Sequence, residues 1–339
     1  GRLIEMALTI AYDAKVNYDD IFAQVRMWDT IAHNYLYHKK VVVPPKFVSK
    51  KNQAYEGAYV KDPQVGMFNW VASFDLNSLY PHLMMQYNIA PDTIIEPKDY
   101  TPTMRDILNQ GISVDKLLHQ KVDLSGLKDV TITPNGQFFR KNKQGFLPEI
   151  LEKMYNDRTK YKDAMLDAKK KYQTATTVEA KKEYGDLVSR YHNLQLTKKE
   201  CLNSAYGALG SEYFRFFDIR QAEGITLAGQ LSIQWIERKF NEYLNRLLKT
   251  DNKDFVIAID TDSVYLNLEP LVNSVFKDTS DTEKIIAFLD KICEDKFQPF
   301  IDKSYQELAD YVNAYDQKMK MKRENLADKA IWTAKKRYI

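Results

Sequence analysis

Short apolar runs and longer amphipathic stretches divide this chain into elements. Val71-Ala72-Ser73-Phe74-Asp75 is a short apolar run closed by a carboxylate. Phe255-Val256-Ile257-Ala258-Ile259 and Val264-Tyr265-Leu266-Asn267-Leu268 are short and rich in β-branched residues, so they read as strands. The link between the last two, Asp260-Thr261-Asp262-Ser263, is too short for anything but a hairpin turn. Residues 17–38 predict one amphipathic helix, with Asn17 as N-cap and Ile21, Phe22, Val25, Trp28 and Ile31 as its core stripe. Residues 149–170 and 177–207 predict two long helices joined through a Gln-Thr-Ala-Thr-Thr turn region, and so short a connection favours antiparallel neighbours. Residues 219–248 predict another long helix, with Ile225, Leu227, Leu231, Trp235, Phe240 and Leu244 inward. Residues 282–313 predict two helices around Pro299 that cover a sheet. Residues 39–55 read as a lysine-rich connector with Pro44-Pro45 at its centre. Residues 92–145 are rich in turn formers and predict only a short helix near 103–119. Strands in two separated segments with helices behind them make an α+β architecture. There is no internal repeat and no low-complexity tract.

Composition adds bounds. A chain of 339 residues can bury a sizeable core and hold two or three subdomains. Its charged fraction of 28% and hydrophobic fraction of 44% are those of an ordinary globular protein. The net charge of +3 hides an uneven distribution. Residues 265–317 hold 5 basic and 11 acidic side chains, whereas residues 318–339 hold 8 and 2. Such a basic tail, interleaved with Trp332 and Tyr338, suits contact with a nucleic-acid backbone, or else is a solvated terminal segment. The two cysteines and the absence of a CxxC pair suggest no disulfide framework and a reducing compartment. Without HExxH or clustered histidines no zinc site is expected, and no run is apolar and long enough to span a membrane. The chain opens Gly1-Arg2-Leu3, with no signal peptide and no initiating Met, which reads as a fragment or processed product.

The chemistry concentrates where the strands end. Asp260 and Asp262 lie one residue apart at a tight turn, so their carboxylates project near the same point. Two unit charges about 5 Å apart repel by roughly 3 kcal/mol at an effective dielectric near 20. A divalent metal is an economical neutraliser, although the turn alone also reads as a solvated Asx turn. Asp75, at the end of another strand, shifts that balance, because three such carboxylates can hold two oxygen-ligated Mg²⁺ ions. Two ions about 3.5–4 Å apart form the clamp for in-line displacement at phosphorus. Between these segments, Lys199, Asn203 and Tyr206 share one helical face, and Arg158 and Lys162 share another. These basic pairs suit a polyphosphate, or simply a solvated helix face.

These residues resemble a known family. Asp75-Leu76-Asn77-Ser78-Leu79-Tyr80-Pro81 resembles motif A of the family B DNA polymerases. Lys199 through Gly207 resembles motif B, and Asp260-Thr261-Asp262-Ser263 resembles motif C, in the family's order and spacing. Tyr55-Glu56-Gly57-Ala58 is similar to the linker before the palm, and Lys335-Lys336-Arg337-Tyr338 to the primer-contacting motif after it. Phe146-Leu147-Pro148 through Lys162 resembles the first fingers helix. Arg215-Phe216-Phe217-Asp218 and Gln234 through Lys239 resemble the replicative polymerases of tailed bacteriophages in particular. Three positions depart from the pattern: Ile259 stands where the family usually has Gly, His82 where it has Ser, and Lys322-Arg323-Glu324 retains one acid of a pair.

The resemblance implies a palm, an antiparallel sheet backed by helices, with a two-helix fingers insertion. Residues 1–60 would be the end of an exonuclease region and linker, 61–145 the first part of the palm with its insert, 146–207 the fingers and motif B helix, and 208–339 the second part of the palm. A proofreading domain would precede residue 1 and a thumb would follow Tyr338, supplied by a longer chain or by partner chains. The implied reaction is template-directed addition of deoxynucleotides to a primer 3′-hydroxyl. Asp75, Asp262, the Leu76 carbonyl and, as auxiliary, Asp260 would hold two Mg²⁺ ions, with Lys199 as general acid. Arg158, Lys162, Lys199, Asn203, Tyr206 and the Ser78-Leu79-Tyr80 segment would bind the deoxynucleoside triphosphate. Lys335, Lys336, Arg337 and Tyr338 would hold primer–template DNA, a sliding clamp is a possible partner, and the cytoplasm of an infected bacterial host is the implied location. The competing readings are a catalytically silent polymerase-like module that binds DNA and partner chains, and a metal-dependent nuclease.

Overall fold

The computed structural model describes residues 2–46, 54–279 and 281–339, so part of the expected 39–55 connector lies outside the described residues. The chain forms two compact units, each assembled from separated segments. One comprises Gly1–Ala54, Ile89–Thr93 and Lys143–Ala222; the other comprises Tyr55–Asn88, Ile94–Asn142 and Glu223–Ile339.

The first unit is helical. Its two long helices span Phe146–Thr174 and Val178–Leu209, joined by three residues. Thr177 ends the connection and caps the second helix by accepting a hydrogen bond from the Ala180 amide. Helices Arg2–Ala14 and Gln24–His38 pack beside them. Lys198 pairs with Asp13 at 2.8 Å, and the Trp28 indole donates to the Ser204 hydroxyl at 2.9 Å. The single helix expected over 17–38 is instead a 3₁₀ turn, Tyr18–Phe22, followed by a break at Ala23 and then the α-helix. Asn17, Asp19 and Asp20 crowd that start, and such side chains favour local turns over an α-helix. The core face moves accordingly. Met27, Trp28, Ala32 and Leu36 are buried, whereas Phe22 is 76% exposed.

The second unit contains a six-stranded antiparallel sheet. In chain order its strands are β1 (Val60–Lys61) and β2 (Gly66–Leu76), then, after the small hairpin β3 (Val130–Ile132) and β4 (Phe138–Arg140), β5 (Val256–Asp260), β6 (Ser263–Asn267), β7 (Met321–Ala334) and β8 (Arg337–Tyr338). Their spatial order is β1-β5-β6-β2-β7-β8. Alternation along β2 separates its two faces. Phe74 is fully buried against Phe240 and Phe297, with ring centroids at 5.6 and 6.3 Å, on helices that back the sheet. Asp75 points to the opposite face, whose apolar part is Val71, Ile257, Ala258 and Trp332.

The helix expected over 219–248 is observed as Ile219–Leu248. The region 282–313 runs as Thr282–Ile292, a π-turn at Cys293–Phe297, and Gln298–Tyr311. Pro299 sits in the first turn of the last helix, where its missing N–H costs little. The 92–145 region carries more structure than its composition suggested. Helices Pro102–Asn109 and Val114–Leu118, capped by Thr101 and Ser113, precede the β3–β4 hairpin. Residues 318–339 form most of a sheet edge, and Trp332 is 2% exposed. Its indole packs against Phe68 and Tyr265, so it is core and not an aromatic offered to nucleic acid. Among the described residues, no helix is long and apolar enough to cross a membrane.

Lys61 ties the edge of the sheet to the helices. Its ammonium lies 2.6 Å from both Glu237 and Asp254 and 2.8 Å from the Val256 carbonyl. Lys61→Met leaves two partly buried carboxylates uncompensated, so it should lower stability by about 2 kcal/mol. The urea midpoint should fall with an unchanged slope; an unmoved midpoint would show that the network contributes nothing.

Candidate active site

The β5–β6 turn is tight because Asp260 and Ser263 pair directly across it. Thr261 adopts φ 59°, a left-handed conformation that is costly for a β-branched residue. Its amide donates to the Tyr59 carbonyl at 3.1 Å, so the strand edge at β1 holds the turn in place. Ser263 in turn lies opposite Asp75 on β2. The Leu76 amide donates to the Asp262 carbonyl at 2.8 Å, and the Ser263 hydroxyl donates to the Asp75 carboxylate at 2.7 Å. Two strand ends remote in sequence are thereby fastened together with their carboxylates on one face.

The electrostatics register that proximity. The Asp262 carboxyl is pushed up to about 6, by burial first and by the Asp75 charge second, with Asp260 and Glu324 adding to it. Glu324 reaches this neighbourhood through an irregularity in β7. Arg323 faces Phe74 and Asn325 faces Ser73, which leaves Glu324 as the extra residue of a bulge. Among the described residues, no group of three or more His, Cys, Asp or Glu side chains is arranged to hold a metal ion. Mg²⁺ needs fewer, because it takes one or two carboxylates and fills its shell with water and phosphate oxygens. The Asp75–Asp262 pair, with its excess of negative charge, fits that requirement.

Directly after β2 the chain turns into helix Leu79–Gln86 through Ser78, which is left-handed at φ 46°. The amides of Ser78, Leu79 and Tyr80 lie at this entry, where a helix has no internal acceptors for its donors. The Ser78 carbonyl accepts from the His82 amide at 3.2 Å and lies 3.0 Å from His82 Nδ1. His82 is thus a buried brace for the left-handed turn. The half-buried Tyr80 has its hydroxyl pushed up by burial and then by the charge of Asp262.

The basic candidates lie in the other unit. Arg158 and Lys162 occupy one face of helix Phe146–Thr174, and Lys199, Asn203 and Tyr206 one face of helix Val178–Leu209. Lys162, Lys199 and Asn203 are exposed, while Arg158 and Tyr206 are half-buried. The structure brings Asp75, Asp260, Asp262, Leu76, Ser78, Leu79 and Tyr80 together in one unit, and Arg158, Lys162, Lys199, Asn203 and Tyr206 lie in the other.

The tail residues form a hairpin with β7. Lys336, left-handed at φ 59°, lies 3.4 Å from the Asp260 carboxylate, and Lys335 lies 3.2 Å from Asp62. The Tyr338 hydroxyl is 2.8 Å from that of Tyr265, and Arg337 lies in β8. Sequence reasoning missed the Lys336–Asp260 pair and the Ser263 brace, of which only Ser263 carried a signal, as a hydroxyl inside the acidic turn. The sequence singles out Glu324 as the retained acid of a pair, and the irregularity in β7 brings its charge to bear on Asp262.

Comparison with known proteins gives one consistent result. Residues 23–339 match the family model described as DNA polymerase family B. The DNA-directed DNA polymerase of Escherichia phage RB69 is 31% identical across 99% of this chain and 41% of its own length. That of Enterobacteria phage T4 is also 31% identical, with the same coverage. The DNA polymerase delta catalytic subunit of Candida albicans is 28% identical over 66% of this chain and 19% of its own. The chain spans about two-fifths of the length of the phage relatives.

Proposed function

The chain belongs to DNA polymerase family B, and from that premise we propose that it carries out template-directed DNA synthesis, adding deoxynucleotides to a primer 3′-hydroxyl with release of pyrophosphate. The observation that carries this reading is the fastening of Asp75 to the Asp262 turn through the Leu76 amide and the Ser263 hydroxyl. Asp75 and Asp262 would hold two Mg²⁺ ions, with the Leu76 carbonyl completing one shell and Asp260 as an auxiliary ligand. When bound, that pair of ions supplies a lowered pKa at the primer hydroxyl and positive charge for the departing pyrophosphate. The Ser78, Leu79 and Tyr80 amides bind phosphate oxygens, and the His82 contact keeps their turn in its left-handed shape. Arg158, Lys162 and Lys199 neutralise the triphosphate, and Lys199 donates a proton towards pyrophosphate. Asn203 and Tyr206 lie against the nascent base pair. Lys335, Lys336, Arg337 and Tyr338 track the primer backbone. Primer–template DNA and deoxynucleoside triphosphates are the substrates. Exonuclease and thumb portions and a sliding clamp are the partners this reading implies, in the cytoplasm of an infected bacterial host.

Tyr80 packs under the incoming sugar, where a 2′-hydroxyl would clash. Tyr80→Ala should therefore raise ribonucleotide use relative to deoxynucleotide use by roughly 10- to 100-fold. Competing incorporation of matched ribo- and deoxynucleotides on a primed template measures this, and unchanged discrimination would remove Tyr80 from the sugar pocket.

A further inference from the structure

Gly229 stands in the middle of the long helix Ile219–Leu248, a position where glycine is disfavoured against almost any other residue. No turn, cap or positive φ calls for it there. What does call for it is a neighbour. A Cβ at Gly229 would lie 3.3 Å from Cε1 of Tyr80, 3.5 Å from Cδ2 of Leu79 and 3.5 Å from Cδ1 of Leu83. The two leucine distances are ordinary van der Waals contact. The tyrosine distance is tighter than side chains normally adopt, so one group would have to give by a few tenths of an ångström. Leu79 and Leu83 are 5% and 0% exposed and closely packed, whereas Tyr80 is half-buried. The ring is therefore the group that moves, and it moves away from the helix.

We propose that Gly229 is a specificity-determining position: its missing side chain forms the seat of the Tyr80 ring and so sets the depth of the pocket that receives the nucleotide sugar. This rests on the proposed polymerase function and deepens it. The cost of a mid-helix glycine is accepted because an alanine there would press Tyr80 into the sugar. Gly224, in the same helix, is a natural comparison, since a Cβ there would meet Thr133 and Asn135 and not Tyr80.

The test is equilibrium binding of a templated deoxynucleotide and its ribonucleotide counterpart, with Mg²⁺ and a dideoxy-terminated primer–template. Wild type, Gly229→Ala, Gly224→Ala and Gly229→Ala in a Tyr80→Val background would be compared. Gly229→Ala should weaken deoxynucleotide binding by about fivefold and ribonucleotide binding by more, because a misplacement of about 1 Å can cost 100-fold and this one is smaller. Gly224→Ala should leave both affinities unchanged. The loss should vanish in the Tyr80→Val background, and the melting temperature of Gly229→Ala should be no lower than wild type. Wild-type affinities in Gly229→Ala, or an equal loss without the Tyr80 ring, would overturn the inference alone. A wild-type protein that binds both sugars alike would also overturn the inference alone, whereas one that binds neither would overturn the underlying polymerase reading and the inference with it.

Discussion

Asp262→Asn should abolish templated incorporation and at the same time make the metal-free protein more stable. Loss of one of two ligand carboxylates should cost roughly 10³-fold or more in rate, or about 4 kcal/mol of transition-state stabilisation. The gain in stability has a separate cause. The Asp262 carboxyl titrates at about 6 because burial and the Asp75 charge oppose its ionisation. In the unfolded chain it titrates at about 4. Binding its proton therefore favours the folded state. That contribution is fully present below about pH 4 and is lost as pH rises through 6. At neutral pH the wild-type protein carries this repulsion and the amide variant does not. The side chain is partly exposed, so solvent screening reduces the difference to about 1 kcal/mol. Thermal unfolding in chelator should show the variant ahead at pH 7 and level with wild type near pH 4. A variant less stable than wild type at pH 7 would mean that Asp75 and Asp262 do not repel.

Phe74→Ala should destabilise the protein by about 4 kcal/mol, a large part of the stability of an ordinary domain. Phe74 is fully buried, with Phe240 and Phe297 against its ring. Neither partner strand nor backing helix can close the cavity, since Phe240 also packs on Phe300 and Phe297 on Tyr243. The next residue is Asp75, so slack at this position also loosens the carboxylate. Phe74→Leu, which keeps most of the volume, should cost about 1.5 kcal/mol. Urea unfolding of both variants tests this. A loss below about 1 kcal/mol for the alanine variant would show that the core reorganises around the gap.

Much of this architecture is written in local pattern. The helix Ile219–Leu248 carries an unbroken apolar stripe, and the β5–β6 hairpin has short apolar arms around a turn with two aspartates. Both are legible because their signals are local. The strand β7 is not, because Lys322, Arg323, Glu324 and Asn325 lack strand propensity and pair only because β2 lies beside them. Trp332 misled for the same reason: an aromatic among lysines says nothing about the edge contacts it makes with Phe68 and Tyr265. The break at Ala23 came from turn-forming side chains outweighing an apolar stripe in register. At the candidate site, the sequence identified carboxylates that the fold brings together. It could not supply the braces, since His82 to Ser78, Lys336 to Asp260 and Gly229 to Tyr80 are contacts of tertiary structure or of a specific left-handed turn.

Asp75 and Asp262 stand at the centre of the proposed nucleotidyl transfer. The most direct measurement is single-turnover addition of one nucleotide to a primed DNA template across a Mg²⁺ titration, with wild type, Asp75→Asn and Asp262→Asn side by side. Wild type should add only the template-matched deoxynucleotide, and only with Mg²⁺, and both variants should fall by roughly 10³-fold or more. Mg²⁺-independent behaviour, no addition by the wild-type protein, or wild-type rates in either variant would contradict the proposed transfer.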